Sequence, residues 1–208
     1  MSDSPMFPLG MVVFPSTRFQ LRIFEERYVK LVEDCTNTNR KFGVCLIAKG
    51  HEVGGGDERY QYGTISRIEN VSDISSGQFL VQCVGEHRIE IAKWLSEDPY
   101  PTASIELSEV QDSDSISSHH LDQLRVIAER TSKNVEKLTG VTLPLLTKTS
   151  ESSTDSIYEL AESSFLGPYD RYQVLAANTL RHRFDTLKEL LIGVDEIYAN
   201  ELKIRNQY

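Results

Sequence analysis

The sequence predicts an α+β protein in which a small β-barrel with one short helix precedes an α-helical bundle. In residues 5–110, apolar residues alternate along about five or six short segments, and a single segment shows the helical period. Many short strands in about a hundred residues bury their apolar faces by curling into a small closed or half-closed barrel. Beyond the serine-rich residues 112–120 the helical period takes over, so we expect two domains, 5–110 and 115–207.

The first elements are visible as changes of period. Residues 6–14 form an apolar run between Pro5 and Pro15, which predicts a first strand ended by residues that cannot donate to a ladder. A second short strand is indicated by three alternating apolar residues: Phe19, Leu21 and Ile23. From Glu25 the spacing becomes helical, and four residues form the apolar face: Tyr28, Leu31, Val32 and Cys35.

Residues 42–68 read as a strand, a loop and a second strand. The apolar segment 41–49 gives way to three consecutive glycines, Gly54, Gly55 and Gly56, and alternation returns over residues 60–68. Three glycines lose too much backbone entropy to hold a strand or a helix. The loop is therefore either a flexible connector or a surface that closes on a ligand.

The remaining β segments follow after Gly77. Residues 79–84 predict a strand, and Gly85-Glu86 suits a two-residue hairpin turn from which residues 88–92 return. A last strand is indicated by three alternating residues after the Pro99-Tyr100-Pro101 break: Ala103, Ile105 and Leu107.

Helical periodicity dominates the second half. One helix is predicted from six apolar residues that end before Gly140 and Pro144: Leu121, Leu124, Ile127, Ala128, Val135 and Leu138. After a second polar link, residues 147–156, Asp155 is a candidate cap for a short helix. A last helix, with Asp170 and Gln173 at capping-box-like spacing, carries a long seam: Leu180, Phe184, Leu187, Leu191, Val194 and Ile197. This seam packs against the earlier helices and offers a surface for a homodimer.

Charge and cysteine usage narrow the class of protein. With 22 basic and 31 acidic residues, the net charge of -9 argues against a main role in binding nucleic acid. Three separated cysteines without a C-x-x-C pair favour reduced thiols. The N-terminus does not resemble a signal peptide and no apolar run is long enough to span a bilayer, so we expect a cytoplasmic protein without membrane contact.

Motif searches predict neither an enzyme nor a cofactor. The sequence lacks G-x-x-x-x-G-K-[ST], H-E-x-x-H, G-x-S-x-G and G-x-G-x-x-G. His119 and His120 are adjacent, so their side chains diverge and suit a metal ion poorly. A catalytic pairing of Cys45 or Cys83 with a histidine stays open, although cysteines in apolar strands are usually inert core residues.

Four segments, in order, resemble one family: PMFPLGMVVFP, LRIFEERYVKLV, FGVCLIAKGHEVGGG followed by YGT, and FLVQCVGEHRIEI. They resemble the N-terminal domain of Lon proteases, and most closely stand-alone bacterial proteins that carry this domain without the rest of the protease. The match is strongest over residues 6–91. The resemblance implies a PUA-like β-barrel followed by a helical bundle. It also implies recognition of unfolded or damaged polypeptides, with which this region is associated in full-length Lon proteases. In those proteins ATP hydrolysis and peptide cleavage lie in later domains.

We therefore expect a non-catalytic module that binds unfolded or exposed apolar polypeptide segments. Seven residues are candidates for this binding: Phe14, Pro15, Phe24, Tyr28, Gly54, Gly55 and Gly56. For each, a purely structural role in the barrel or the loop is an equal alternative. A second hypothesis is an RNA-binding PUA-like protein, in which Arg22, Phe24, Arg27 and Tyr28 form a stacking surface. The neighbouring glutamates oppose it.

Overall fold

The structure, a computed structural model, describes residues 1–52, 54–75, 77–108, 116–141, 152–205 and 207. The chain divides into two compact units, Met1–Glu109 and Val110–Tyr208. The described residues form a mixed α+β fold of six strands, all in the first unit, and five helices. Two expected features fall partly outside the described residues: the junction at 112–120 and the second polar link at 147–156.

The first unit is a six-stranded sheet with one helix. Its elements are β1 (Ser2–Leu9), β2 (Arg18–Ile23), α1 (Glu26–Thr36), β3 (Lys41–Lys49), β4 (Glu58–Ser75), β5 (Gln78–Trp94) and β6 (Thr102–Leu107). The strand order is β2-β5-β4-β3-β1-β6, and β5 also pairs with β6. β1 and β3 are parallel, and the other pairs are antiparallel.

Several predicted elements are confirmed. In β2, the three alternating residues are buried while Arg18, Gln20 and Arg22 are exposed. In α1, the four residues of the predicted apolar face are the buried ones. The segment 41–49 is β3 and the last predicted strand is β6. In β2 and α1 the period of the sequence matches one buried face, whereas residues 42–46 of β3 are buried on both faces.

The first strand was placed wrongly. β1 begins at Ser2 and ends at Leu9, so Pro5 lies inside it rather than before it. Residues 2–5 pair with β6 and residues 6–9 pair with β3. The apolar residues 12–14 are buried outside any strand, where the Val13 carbonyl accepts a hydrogen bond from Thr64 Oγ1 at 2.6 Å. These residues are apolar because they are buried, and a short apolar run does not show from sequence alone whether the buried segment is a strand.

The hairpin turn predicted at Gly85-Glu86 is also wrong. β5 runs through Gly85 with a register shift, because Ile65 pairs with His87 and Ser66 with Gly85. The Gly85 carbonyl accepts from Ser16 N at 2.8 Å, and a Cβ at position 85 would overlap the Phe14 carbonyl oxygen. This glycine permits close approach of the chain before β2. The turn lies instead between Ser75 and Gln78, where Gly77 has a φ of 77°.

Two apolar clusters lie on opposite faces of the sheet. Met6 belongs to one cluster with Ile89 and Ile105, and Phe7 belongs to the other with Tyr28 and Leu31 of α1. Because adjacent residues of a strand point to opposite faces, β1 contributes to both clusters. The cluster beneath α1 forms one wall of the groove described below.

The second unit contains α2 (Ser118–Thr139), α3 (Ser153–Glu162), α4 (Pro168–Ala176) and α5 (Leu180–Arg205). α2 ends as predicted, at Gly140 with a φ of 73°. The predicted cap of α3 is wrong by three residues: Ser152 is the N-cap, and its side chain accepts from Asp155 N at 3.3 Å. None of the described helices is both long enough and apolar enough to cross a membrane.

The predicted last helix is two helices. α4 ends at Ala176, and Thr179 begins α5 by accepting from His182 N at 3.0 Å. The capping-box prediction at Asp170 is also wrong, because Gly167 is the N-cap of α4 and Asp170 lies in the first turn. The side chain of Arg183, fully buried, donates to the Val174 and Ala177 carbonyls and so joins the two helices.

The apolar seam of α5 is confirmed over its first half. Leu180, Phe184, Leu187 and Leu191 are buried. Farther along, Ile197 is 58 % exposed and Asp195 is buried in place of an apolar residue. The homodimer through these helices stays a prediction.

Candidate functional site

A groove with a volume of about 310 Å³ runs between β2, the start of α1 and the segment after β1. Its walls include three buried apolar side chains from three elements: Phe7, Leu21 and Tyr28. Phe24 and Met11 also line it and remain 54 % and 37 % exposed. The groove therefore joins a buried apolar wall to an exposed aromatic side chain.

The turn from β2 into α1 places Phe24. The alternation of β2 ends at Ile23, which is buried, so Phe24 points outward before α1 begins at Glu26. An exposed Phe is not unusual by itself, but here it adjoins a concave apolar surface. Such a surface is suited to an apolar side chain from another molecule.

Tyr28 contributes an apolar wall to the groove. Its ring stacks on Phe7 with the centroids 3.9 Å apart, and the Arg27 guanidinium lies over it at 4.4 Å. Burial, partly offset by the charge of Arg27, raises the pKa of Tyr28 to about 12. The side chain is neutral at physiological pH.

Charged and polar side chains lie at the rim. Arg22 donates to the Gln78 side-chain oxygen at 2.8 Å. Glu25 pairs with Arg27 at 3.1 Å. Glu52 approaches from the loop after β3 and accepts a hydrogen bond from Gly10 N, so two segments distant in sequence meet at the groove.

The glycine-rich loop is anchored beside the groove. Gly54, Gly55 and Gly56 have φ values of 98°, 77° and 76°, which side chains with a Cβ rarely adopt. On one side Arg27 donates to the Glu52 carbonyl at 3.1 Å. On the other, the Arg59 guanidinium binds Asp57 and lies 4.2 Å from the centroid of the Trp94 ring. Burial lowers the pKa of Arg59, but hydrogen bonds to Asp57 and Glu97 raise it overall.

The family follows from a comparison with known proteins. A family model described as the ATP-dependent protease La (LON) substrate-binding domain matches residues 3–192. The chain belongs to this family. The resemblance seen in the sequence is thereby confirmed.

Its relatives among curated proteins are mostly larger. A Lon protease of Flavobacterium johnsoniae is 27% identical over 199 residues, which cover 93% of this chain and 24% of that protein. A LON peptidase N-terminal domain and RING finger protein of Schizosaccharomyces pombe is 25% identical over 49% of this chain and 23% of its own length. The chain thus spans about a quarter of the length of these relatives.

Solved structures show the same fold. A crystal structure of a Lon N-terminal domain protein from Xanthomonas campestris is 26% identical, with a TM-score of 0.68 over 90% of this chain and 97% of that one. The N-terminal domain of a Mycobacterium avium complex Lon protease has a TM-score of 0.60 at 12% identity and covers 91% of this chain and 98% of that one. The mixed α+β architecture is therefore that of Lon N-terminal domains.

The residues predicted for binding do not all meet at the groove of this Lon-type domain. Phe24 and Tyr28 line it together. Phe14 is fully buried and Pro15 is half-buried, and neither lines the groove. The three glycines lie farther along the loop whose Glu52 reaches the rim. Binding by any of the seven residues stays a prediction.

Eight groove residues were not foreseen as candidates for binding: Phe7, Leu9, Met11, Gln20, Leu21, Ile23, Glu25 and Glu52. The alternation of β2 indicates that Leu21 points inward, but not that its neighbour is a groove. Met11 and Glu52 come together through the parallel pairing of β1 and β3, and local sequence carries no signal for that pairing.

The cysteines have the properties of core residues. Burial raises the pKa of Cys35, Cys45 and Cys83 to about 12. Such thiols are protonated near neutral pH and are poor nucleophiles. Within the part of the chain that the structure describes, no three His, Cys, Asp or Glu residues are arranged to hold a metal ion.

Proposed function

We propose that this chain binds unfolded polypeptides, or polypeptide segments with exposed apolar side chains, in the groove between β2 and α1. The observation that carries the proposal is the pairing of a buried apolar wall with the exposed Phe24, in a chain of the Lon substrate-binding domain family. An unfolded chain presents apolar side chains that a folded one conceals. The groove favours binding of the unfolded chain because it removes those apolar side chains from water.

The proposed role is binding without catalysis. The 208 residues contain neither a nucleotide phosphate loop nor a G-x-S-x-G nucleophile motif, and the thiols have raised pKa values. The ATP-dependent peptidase activity implied by the names of the relatives is therefore not carried over to these residues.

We also propose that the sheet is a small PUA-like barrel. Its support is the series of pairings β5-β4-β3-β1-β6, which returns to β5 through the β5–β6 pair. β2 is then an additional strand on β5. In such an arrangement the free edge of the sheet belongs to β2, the strand that borders the groove.

RNA binding, the second hypothesis, is not proposed. The net charge is -9, and Glu25 and Glu52 line the groove beside the single cation Arg22 among its described lining residues. Carboxylates at this position repel a phosphate backbone. Arg27 already interacts with groups of the protein, because its guanidinium lies over the Tyr28 ring and pairs with Glu25.

The proposal is tested by fluorescence anisotropy with a labelled, reduced and carboxymethylated model protein that stays unfolded. We expect Phe24→Ser to weaken binding by about tenfold, as expected for an aromatic anchor at an interface. The matched control is Ile74→Ser, because Ile74 is 50% exposed in the same unit but does not line the groove. Equal affinities of Phe24→Ser and wild type would contradict the proposed site.

A further inference from the structure

We propose that the groove holds its polypeptide as an additional β-strand, hydrogen-bonded to the open edge of β2. This inference rests on the proposed function and specifies how the ligand is held. It makes the ligand backbone, as well as its apolar side chains, part of what is recognised.

β2 has one edge available for such pairing. Within the described sheet it pairs with β5 along its whole length, from Arg18 opposite Val84 to Ile23 opposite Phe79. On the opposite edge the described residues supply no strand partner. In an antiparallel pair, alternate N–H and C=O groups point away from the partner, so this edge presents donors and acceptors in a row.

The groove follows this edge rather than one face of β2. Its lining includes five consecutive residues, Gln20, Leu21, Arg22, Ile23 and Phe24. Side chains of a strand alternate between faces, so a cavity over one face is lined mainly by every second residue. A cavity lined by consecutive residues has both faces and the backbone between them at its border. At about 3.3 Å per residue, these five residues extend about 17 Å, enough for a short extended peptide.

The charges along β2 indicate the chemistry of the added strand. Arg22 is exposed, its described partner is the Gln78 amide, and no carboxylate within the described residues forms an ion pair with it. Arg18, by contrast, pairs with Glu69 at 3.1 Å. Opposite charges on directly facing residues of adjacent strands attract. We therefore commit to an extended segment that alternates apolar and polar residues and places a single Asp or Glu beside Arg22. A run of negative charges would be repelled by Glu25 and Glu52, which also line the groove.

Backbone N-methylation of a peptide ligand separates this mode from side-chain binding alone. The probe is a fluorescent nine-residue peptide of alternating Leu and Thr with one central Glu, prepared unmodified and in two isomers methylated on odd-numbered or even-numbered central amides. Methylation removes a donor without changing the side chains. Because one set of amides faces β2, we expect one isomer to bind at least about tenfold more weakly than the other.

Charge reversal supplies the second arm. Arg22→Glu is expected to weaken binding of the Glu peptide and to strengthen binding of the same peptide with Lys in place of Glu. Arg18→Glu, on the same strand outside the groove lining, is expected to leave both affinities within about twofold, because an exposed pair contributes little.

The outcomes separate this inference from the proposed function. If the unfolded model protein and the unmodified peptide bind but the two methylated isomers have equal affinities, strand addition is wrong and polypeptide binding stands. If neither ligand binds, both fail. If sedimentation shows a dimer that Arg22→Glu disrupts, and dilution to monomers leaves peptide affinity unchanged, the edge of β2 belongs to a dimer and the inference is overturned.

Discussion

Tyr28 lies at the centre of both the core and the groove, and its ionisation couples to folding. Burial raises the pKa of this phenol from 10.0 in the unfolded chain to about 12. Because the pKa of Tyr28 is higher in the folded protein, its contribution to stability is fully present at pH values below the pKa of the unfolded chain. As pH rises from 10 to 12 the unfolded chain releases its proton first, so this stabilisation is lost progressively.

We therefore expect the urea midpoint of unfolding to fall as pH increases from 10 to 12, with a smaller fall in Tyr28→Phe. Burial and a hydrogen bond to Asp34 raise the pKa of Tyr100 to about 12 as well. Tyr100 is unchanged in the variant, so its contribution to the fall in stability remains. A pH profile of Tyr28→Phe that matches wild type would show that Tyr28 is not the coupled group.

Gly85 shows how a single residue sets the path of the chain. We expect Gly85→Ala to destabilise the protein by about 2 kcal/mol or more, because its Cβ would overlap the Phe14 carbonyl oxygen. The measurement is urea unfolding followed by circular dichroism.

Gly193→Ala is the control for that substitution. Gly193 lies within α5, and beyond its chain neighbours and the backbone of its own helix a Cβ there would meet no described atom within 4 Å. Replacing a helical glycine with alanine is expected to stabilise by about 0.5–1 kcal/mol. Destabilisation by both substitutions to the same extent would contradict the close-approach explanation.

At the scale of elements, Asp195 fixes the pairing of α2 and α5. Its carboxylate, which is buried, accepts from Thr131 Oγ1 at 3.2 Å and pairs with Arg130 at 2.6 Å. These contacts define one register between the two helices. A buried carboxylate that is paired in this way specifies an arrangement more than it adds stability.

We expect Asp195→Ala to lower the free energy of unfolding by about 2 kcal/mol, since Thr131 loses a partner and the site loses its charge pair. Asp185→Ala is the matched control on the same helix: its ion pair with Arg181 is exposed, so a change below about 0.5 kcal/mol is expected. Both are measured by urea denaturation. Equal effects would show that Asp195 does not fix the helix pairing.

The elements that could be predicted are those whose sequence period matches one buried face. β2 and α1 have this property, and their buried residues were identified correctly. Residues 10–14 and Gly85 were misassigned because their environment comes from a contact between them across the fold. The break before α5 depends on Thr179, which caps this helix. A single Thr in a sequence is weak evidence that a helix begins there.

The candidate site, like the fold, could be predicted only in part. Phe24 and Tyr28 stood out as aromatic residues at the start of a helix, and they line one groove. Met11 and Glu52 join them through strand pairing between distant segments, and no local pattern encodes that encounter. Phe14 is aromatic too, but it is fully buried in the core and does not line the groove.

On the scale of the whole molecule, the proposed binding surface belongs to one of the two units. The groove and the open edge of β2 lie in the first unit, whereas the family model matches residues 3–192 and so covers parts of both units. The division into domains 5–110 and 115–207 remains a proposal. A second apolar concavity, on α2 and α5 around Val126 and Lys188, is the natural comparison site within the described residues of the second unit.

Unfolded polypeptide is expected to bind in the groove between β2 and α1. The most direct test of this binding is a titration of isotope-labelled protein with the carboxymethylated model protein, followed by NMR chemical-shift changes of backbone amides. We expect the largest changes at Met11, at residues 20–25 and at Glu52, with little change around Val126. Saturable changes confined to the surface around Val126 and Lys188, with the amides of residues 20–25 unmoved, would contradict it.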